Sequence, residues 1–356
     1  MISDIRLQKF RSYTDETFEL SPGVNIIVGP NASGKTNLLE ALLVVSLGSS
    51  YRAKDSELVQ FDKPWAKLEA HTEDSERTVA IKLTEGGAAK KTQEISGRTF
   101  LRLPLDKTLP VVLFEPSHLL LLTGAPELRR EFLDNLLSQT ASGYSGLRQQ
   151  YRRTLAQRNA LLKKDAVKPA GQLFAWNIRL SELGGQIAGQ RQKLVEDFNS
   201  ELAPIYKKLS GSKAEVSMSY KSSVSLNNYS SDMLKKLEAN TMSDKLRGFT
   251  SHGPHRDDLV VMLGGHEAQN SASRGELRTL VLSIKILELK LIEKLRGKKP
   301  LLLLDDVFSE LDGRRRQALT KFLQNYQTFI TTTDADVVVQ HFMDNSHVIP
   351  TAKTKT

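Results

Sequence analysis

The chain contains no cysteine. Disulfides and thiolate metal sites are therefore excluded, and a cytoplasmic address is the simplest expectation. No apolar run approaches the roughly 18–20 residues needed to cross a bilayer. The longest candidate, Leu38 to Leu47, is broken by Glu40 and Ser46. The opening residues, Met1-Ile-Ser-Asp-Ile-Arg6, lack the basic-then-apolar layout of a secretion signal. No internal repeat is visible, and no heptad pattern is long enough for an extended coiled coil.

What is present is a chain of 356 residues, 39% hydrophobic and 26% charged, ordinary proportions for a globular protein. At about 150 residues per domain, two units are expected. The formal net charge is +9 and the pI is near 9.5. Such charge either solubilises a surface or marks a polyanion partner, because lysines and arginines that neutralise phosphates release condensed counterions.

Residues 1–28 read as a β unit, ending in the apolar run Val24–Val28 after a Ser21-Pro22-Gly23 turn. A helix follows from Leu38. Strands are expected at 66–71, 78–83 and 111–114, with a hairpin turn at Gly86-Gly87. Residues 126–209 carry a helical pattern, interrupted at Lys168–Gly171 and at Gly184-Gly185. A Ser- and Asn-rich stretch spans 210–231, then a short helix covers 232–246. Strand character returns at 258–263. An amphipathic helix over 276–295 has apolar residues at 277, 280, 281, 284, 287 and 291. Leu301–Leu304 and Phe329-Ile330 read as buried strands, and the polar end 351–356 as disordered. The expected fold is α/β: a core lobe built from 1–124 and 248–356, with a mainly helical lobe, 125–247, inserted between.

Gly29-x-x-x-x-Gly34-Lys35-Thr36 is a complete P-loop pattern lying between a strand and a helix. Its glycines let the backbone curl so that amides face phosphate oxygens, and the helix N-terminus adds partial positive charge. Asn31, Ala32 and Ser33 fill the loop, and Asn37 continues the nucleotide-facing stretch. Lys35 is expected to reach the β- and γ-phosphates of ATP, and the Thr36 hydroxyl to bind Mg²⁺. Leu301–Leu304 end in Asp305-Asp306, which places two acids at the edge where doubly wound sheets bind ligands. Asp305 is the expected metal ligand, and Asp306 the residue that orients or deprotonates the attacking water. Taken alone, such a strand is equally a strand followed by an acidic turn.

Ser273-Arg274-Gly275-Glu276 opens the long amphipathic helix. Ser-x-x-Glu is a capping box. A serine hydroxyl and free amides at a helix start also make an anion site. ABC-type ATPases use a motif of this kind, usually Ser-Gly-Gly-Gln or Ser-Gly-Gly-Glu, against the γ-phosphate of a second subunit. Both readings hold together, and Arg274 departs from the usual glycine.

With these motifs the chain resembles the RecF family, part of the ABC-type ATPase group that includes the SMC proteins. The resemblance is carried by Lys9-Phe10-Arg11-Ser12-Tyr13, the P-loop, Gly124-Ala-Pro126-x-x-Arg129-Arg130-x-Phe132-Leu133-Asp134, Gly253-Pro-His255-Arg256-Asp257-Asp258, and Leu304-Asp305-Asp306-Val-Phe-Ser309-Glu310-Leu311-Asp312. It implies an SMC-like head without a long coiled coil. It also implies ATP-driven homodimerisation with weak hydrolysis, and binding to double-stranded DNA at gaps or single-strand/double-strand junctions. RecR and RecO are the implied partners in loading RecA. By resemblance, Arg11 touches nucleotide phosphates, Ser309–Asp312 form a loop at the dimer interface, and Glu115 stands in the metal-side position usually held by glutamine. Thr333 stands where many relatives carry a switch histidine. These two departures imply slow hydrolysis.

Arg129-Arg130, Arg152-Arg153 and Lys163-Lys164 are candidate DNA contacts. The plainer alternatives are an exposed helical face for Arg129-Arg130 and a loop salt bridge for His255-Arg256. Two other classes use a P-loop. A transporter ATPase would need a membrane partner and usually the switch histidine. A small-molecule kinase would need a compact lid, which the long span between the two ATP motifs does not suit.

Overall fold

The computed structural model describes residues 1–163, 170–308, 311–334 and 346–351. In chain order the elements are β1 (Ile2–Phe10), β2 (Tyr13–Glu19), β3 (Val24–Val28), α1 (Lys35–Leu47), β4 (Trp65–Thr72), β5 (Glu76–Leu83), β6 (Ala89–Ile95), β7 (Arg98–Phe100) and β8 (Val111–Phe114). Then come α2 (Pro126–Thr140), α3 (Tyr144–Leu162), α4 (Ala170–Ser210), β9 (Val216–Lys221), α5 (Tyr229–Ala239), α6 (Thr241–Arg247), β10 (Asp258–Leu263), β11 (His266–Glu267) and α7 (Ala268–Ser271). The last are α8 (Arg274–Arg296), β12 (Leu301–Asp305), α9 (Gly313–Leu323), β13 (Thr328–Thr332) and β14 (Ser346–Pro350).

The chain divides into two compact units. One comprises Met1–His118 with Glu288–Thr356, the other Leu119–Leu287. In the first unit, two sheets share a core. The six-stranded sheet has the order β2-β1-β4-β5-β6-β7, with antiparallel neighbours. The five-stranded sheet has the order β14-β3-β13-β12-β8, with parallel neighbours. Alternation sets the first: Ile5 and Leu7 of β1, and Ala66, Leu68 and Ala70 of β4, face the core while their neighbours face out. Continuous apolar runs set the second, because parallel strands are covered on both faces; Leu301–Leu304 are all buried. Helix α1 packs against strands of both sheets, and every residue from Leu38 to Ser46 is buried. A helix apolar all round belongs inside.

The second unit is mainly helical but carries its own antiparallel sheet, β11-β10-β9. Strand β10 pairs with β9 along its whole length, which draws 258–263 into this unit. The unit therefore extends beyond 125–247 on both sides, and its boundary falls within α8. The interruption expected at Gly184-Gly185 does not occur; α4 runs through it. These glycines serve helix packing instead. A Cβ on Gly184 would lie 2.7 Å from the Met233 sulfur, and one on Gly185 2.1 Å from the Ser230 hydroxyl, both on α5.

Candidate functional site

Strands β3, β13 and β12 are parallel neighbours, so their C-terminal ends lie side by side. The P-loop leaves β3, and Asp305 closes β12. Gly34 caps α1 at φ 96° and Ala32 sits at φ 64°, both in the left-handed region that bends the loop. No side chain caps the first turn of α1, whose leading amides have no intrahelical partner. Gly29 has no room for a side chain: a Cβ would lie 2.5 Å from the Ser33 hydroxyl and 2.6 Å from the Thr351 carbonyl oxygen. The Ser33 and Thr351 hydroxyls bond each other at 2.7 Å, and the Tyr13 hydroxyl donates to the Gly34 carbonyl at 3.0 Å.

Lys35 Nζ donates to the carbonyls of Gly29 (2.7 Å) and Pro30 (2.9 Å), which folds the ammonium back over the loop. Burial lowers its pKa, against the opposing pull of Asp306 and Asp305. The Thr36 hydroxyl donates to Asp305 Oδ1 at 3.0 Å. Thr331 of the intervening strand donates to the same oxygen at 2.7 Å and accepts from the Asp306 amide at 2.9 Å. Asp306 is held at φ 50°. Thr331 thus positions both acids, and no motif in the sequence flags it.

Arg11 is clamped on α1. Its guanidinium bonds both carboxylate oxygens of the fully buried Glu40 at 2.9 and 3.0 Å. Arg52 joins the same carboxylate at 3.0 Å and reaches Asn37 Oδ1 at 3.1 Å. Asn37 in turn donates to the Ser12 hydroxyl at 3.0 Å. Burial would push the Glu40 carboxyl up, but the bonds from Arg11, Arg52 and Ser50 outweigh it and hold it below its ordinary value. Glu40 entered the sequence reading only as an interruption of an apolar run. Its signal was a carboxylate one turn after the P-loop in an otherwise apolar helix.

Glu115 follows β8 and accepts a bond from the Ser117 hydroxyl. Tyr51, its pKa raised first by burial and next by Glu115, also senses Asp305. Thr333 is exposed just past β13. Asp312 caps α9 by accepting from the Arg315 amide at 2.9 Å; Ser309 and Glu310 lie outside the described residues.

Ser273–Glu276 belong to the second unit and form the expected capping box. The Ser273 amide and hydroxyl donate to Glu276 Oε2 at 2.8 and 2.7 Å, and the Glu276 amide donates back to the hydroxyl at 3.3 Å. Ser273, Arg274 and Glu276 are exposed, and Gly275 is half-buried. Bonds from Ser273 hold the Glu276 carboxyl below its ordinary value.

Arg129 and Arg130 are not an exposed face. Arg129 is 4% exposed and bonds the Asp258 carboxylate at 2.7 and 2.9 Å. Arg130 donates to the Asp257 carbonyl at 2.7 Å. The family string around Gly124 and the one around Gly253 are therefore held together by buried charge. His255 bonds the Tyr151 hydroxyl and the Thr250 carbonyl, and Arg256 lies over the Phe249 ring; neither forms a salt bridge to a carboxylate among the described residues. Arg152, Arg153 and Lys163 are exposed; Lys164 lies outside the described residues.

Among the described residues no cluster of three or more His, Asp or Glu could hold a metal alone. Thr36 and Asp305 instead offer two hard oxygen donors. That sparse set suits Mg²⁺ held jointly with phosphate oxygens. No helix is long and apolar enough to cross a membrane among the described residues.

The family model for the RecF/RecN/SMC N-terminal domain matches residues 1–356. The chain is 36% identical over 342 residues to the DNA replication and repair protein RecF of Heliobacterium modesticaldum, covering 93% of this chain and 92% of that protein. It is 34% identical over 352 residues to the protein of the same name from Clostridium perfringens, covering 98% and 97%. A solved structure of the recombination mediator protein RecF-ATPrS in the RecFOR pathway matches with TM-score 0.88 at 29% identity, over 99% of this chain and 96% of that one. A RecF-ATP structure matches with TM-score 0.84 at 30% identity, over 94% and 92%. With an SMC-like ATPase head fold and this similarity along nearly its full length, the chain belongs to the RecF family.

Proposed function

We propose that this chain is an ATP-dependent DNA-binding protein of recombinational repair, a homodimer when ATP and Mg²⁺ are bound. The observation that carries the reading is the convergence of Lys35, Thr36 and Asp305 at the ends of neighbouring parallel strands. Lys35 and the amides of Gly29, Asn31, Ala32, Ser33 and Gly34 hold the phosphates, and Arg11 and Asn37 flank them. Thr36, Asp305 and Glu115 would hold the metal. Bound magnesium supplies charge neutralisation at the phosphate oxygens. Asp306 orients the attacking water and takes its proton. Ser273, Arg274, Gly275 and Glu276 of a second copy close the nucleotide from the other side, using the exposed start of α8.

ATP acts as a switch because it binds the paired state better than the single one. Glu115 and Thr333 in place of the usual glutamine and histidine make hydrolysis slow; DNA stimulates it weakly. The similarity to a recombination mediator of the RecFOR pathway supports a repair role; the reading adds a gapped or junction DNA target, work with RecR and RecO to help load RecA, and a cytoplasmic location. DNA affinity measured against salt, with and without ATP, tests this. Tight, salt-dependent binding that ATP strengthens is expected; weak, salt-insensitive binding in both states removes the reading.

A further inference from the structure

The outer face of the six-stranded sheet sorts its charge along the strands. With Ala66, Leu68, Val79 and Ile81 in the core, Trp65, Lys67, Glu69 and His71 of β4 face out, as do Glu76, Thr78, Ala80 and Lys82 of β5. At one end Trp65 pairs with Lys82, and Lys82 with Lys90. The Lys9 ammonium lies 4.0 Å over the Trp65 ring. The 60–64 loop is tied to this end by the Gln60 amide on the Lys9 carbonyl (2.7 Å) and the Leu83 amide on the Pro64 carbonyl (2.8 Å). It carries exposed Lys63, and Phe61, which is 87% exposed. At the other end Asp4 pairs with Glu19 and His71, and His71 with Glu76.

Lys82 and Lys90 stand directly opposite each other on adjacent strands. Like charges in that relation destabilise a sheet. Inward-facing Lys91 is neutralised by Asp55 at 2.7 Å, and Lys67 is paired with Glu69. Lys63, Lys82 and Lys90 have no ion-pair partner among the described residues. Two exposed carboxylates, Asp62 and Glu85, sit in the bordering turns against four lysines. An unneutralised basic end with a bare aromatic ring is complementary to a phosphodiester strand.

We propose that this end of the sheet, formed by Lys9, Phe61, Lys63, Trp65, Lys82 and Lys90, contacts DNA. Lys63, Lys82 and Lys90 meet phosphates, Trp65 fixes the Lys9 ammonium among them, and Phe61 stacks on an unpaired base. The proposal rests on the DNA-binding reading above and gives it a surface outside the helical unit.

The test compares the full-length chain with a Lys63→Gln/Lys82→Gln/Lys90→Gln variant and with Phe61→Ala. Each is titrated against a labelled duplex and the same duplex carrying a single-stranded gap, over a range of salt. The triple variant should bind duplex at least about tenfold more weakly, with the slope of log affinity against log salt reduced by roughly two to three. Phe61→Ala should lose about tenfold on gapped DNA and little on intact duplex. Nucleotide binding and ATP-dependent dimerisation should match the parent in both. Duplex affinity within about twofold of the parent, with an unchanged slope, overturns the assignment and leaves an acidic protein face as the occupant of this surface. A slope reduced instead by Arg152→Gln/Arg153→Gln also overturns it. If the parent chain itself fails to bind DNA, the functional reading falls, a result distinct from either.

Discussion

The Thr36 hydroxyl donates a 3.0 Å hydrogen bond to Oδ1 of Asp305, joining the first turn of α1 to the end of β12. The same oxygen accepts from Thr331. One carboxylate oxygen thereby ties the P-loop to β13 and, across it, to β12. The two metal-directed groups are placed by the sheet order β3-β13-β12 rather than by any local sequence feature.

Lys35→Met should abolish ATP binding at working concentrations and, with it, ATP-dependent dimerisation. Charge-assisted hydrogen bonds are worth about 1.5–3 kcal/mol each, so losing two to phosphate oxygens weakens binding by at least roughly 100-fold. Fluorescent-nucleotide titration checks this. Parent-like affinity would refute the cradle.

Ser273→Arg should spare nucleotide binding and block pairing, because Ser273 lies at an exposed helix start in the second unit, outside the P-loop lobe. The lost cap costs about 0.5–2 kcal/mol, which a folded unit tolerates. Size-exclusion chromatography in saturating ATP distinguishes the outcomes; a variant that pairs normally excludes a role across the interface.

Arg158→Ala should destabilise the second unit strongly. Arg158 and Asp244 are both fully buried and pair at 2.8 Å; the same Nη1 donates to the Thr250 hydroxyl, Nε to Asn177 Oδ1 and Nη2 to the Leu237 carbonyl. Removing one partner of such a pair strands the other charge and costs about 3–5 kcal/mol. Urea unfolding should show that loss, and a change under about 1 kcal/mol would contradict it.

Stability should fall on mild acidification through His255. Burial pushes its pKa down from 6.5 to about 4. The unfolded chain therefore binds the proton first. The contribution is fully present above pH 6.5 and is lost as pH falls toward 4. From pH 7 to pH 5 this amounts to about 2 kcal/mol. Paired urea titrations of the parent and His255→Gln should show a smaller pH dependence in the variant; equal dependence would exclude His255 as the source.

The chemistry was legible where a motif is contiguous. The strand, loop and helix around the P-loop, the acidic pair at the end of β12 and the capping box at Ser273 form where the sequence places them. Groups that act across the fold were not. Thr331 is one threonine in a run of three, and only strand order brings it to Asp305. Glu40 lies in an apolar helix, and only folding shows its two arginine partners. Arg129 looks like surface charge because Asp258, its partner, is far away in sequence. Strand β9 hides in a Ser- and Asn-rich stretch, although Val216, Met218 and Tyr220 alternate as a half-buried strand requires. Gly184-Gly185 signals a break by propensity, yet close approach of α5 makes the glycines part of a continuous helix.

The central claim is that one nucleotide is held by two copies of the chain, Lys35 from one and Ser273 from the other. Sedimentation velocity with and without saturating magnesium ATP, then with gapped DNA added, tests it most directly. The account predicts a shift from monomer to dimer that requires the nucleotide and is absent in Lys35→Met and in Ser273→Arg. A single species of monomer mass in every condition would contradict it.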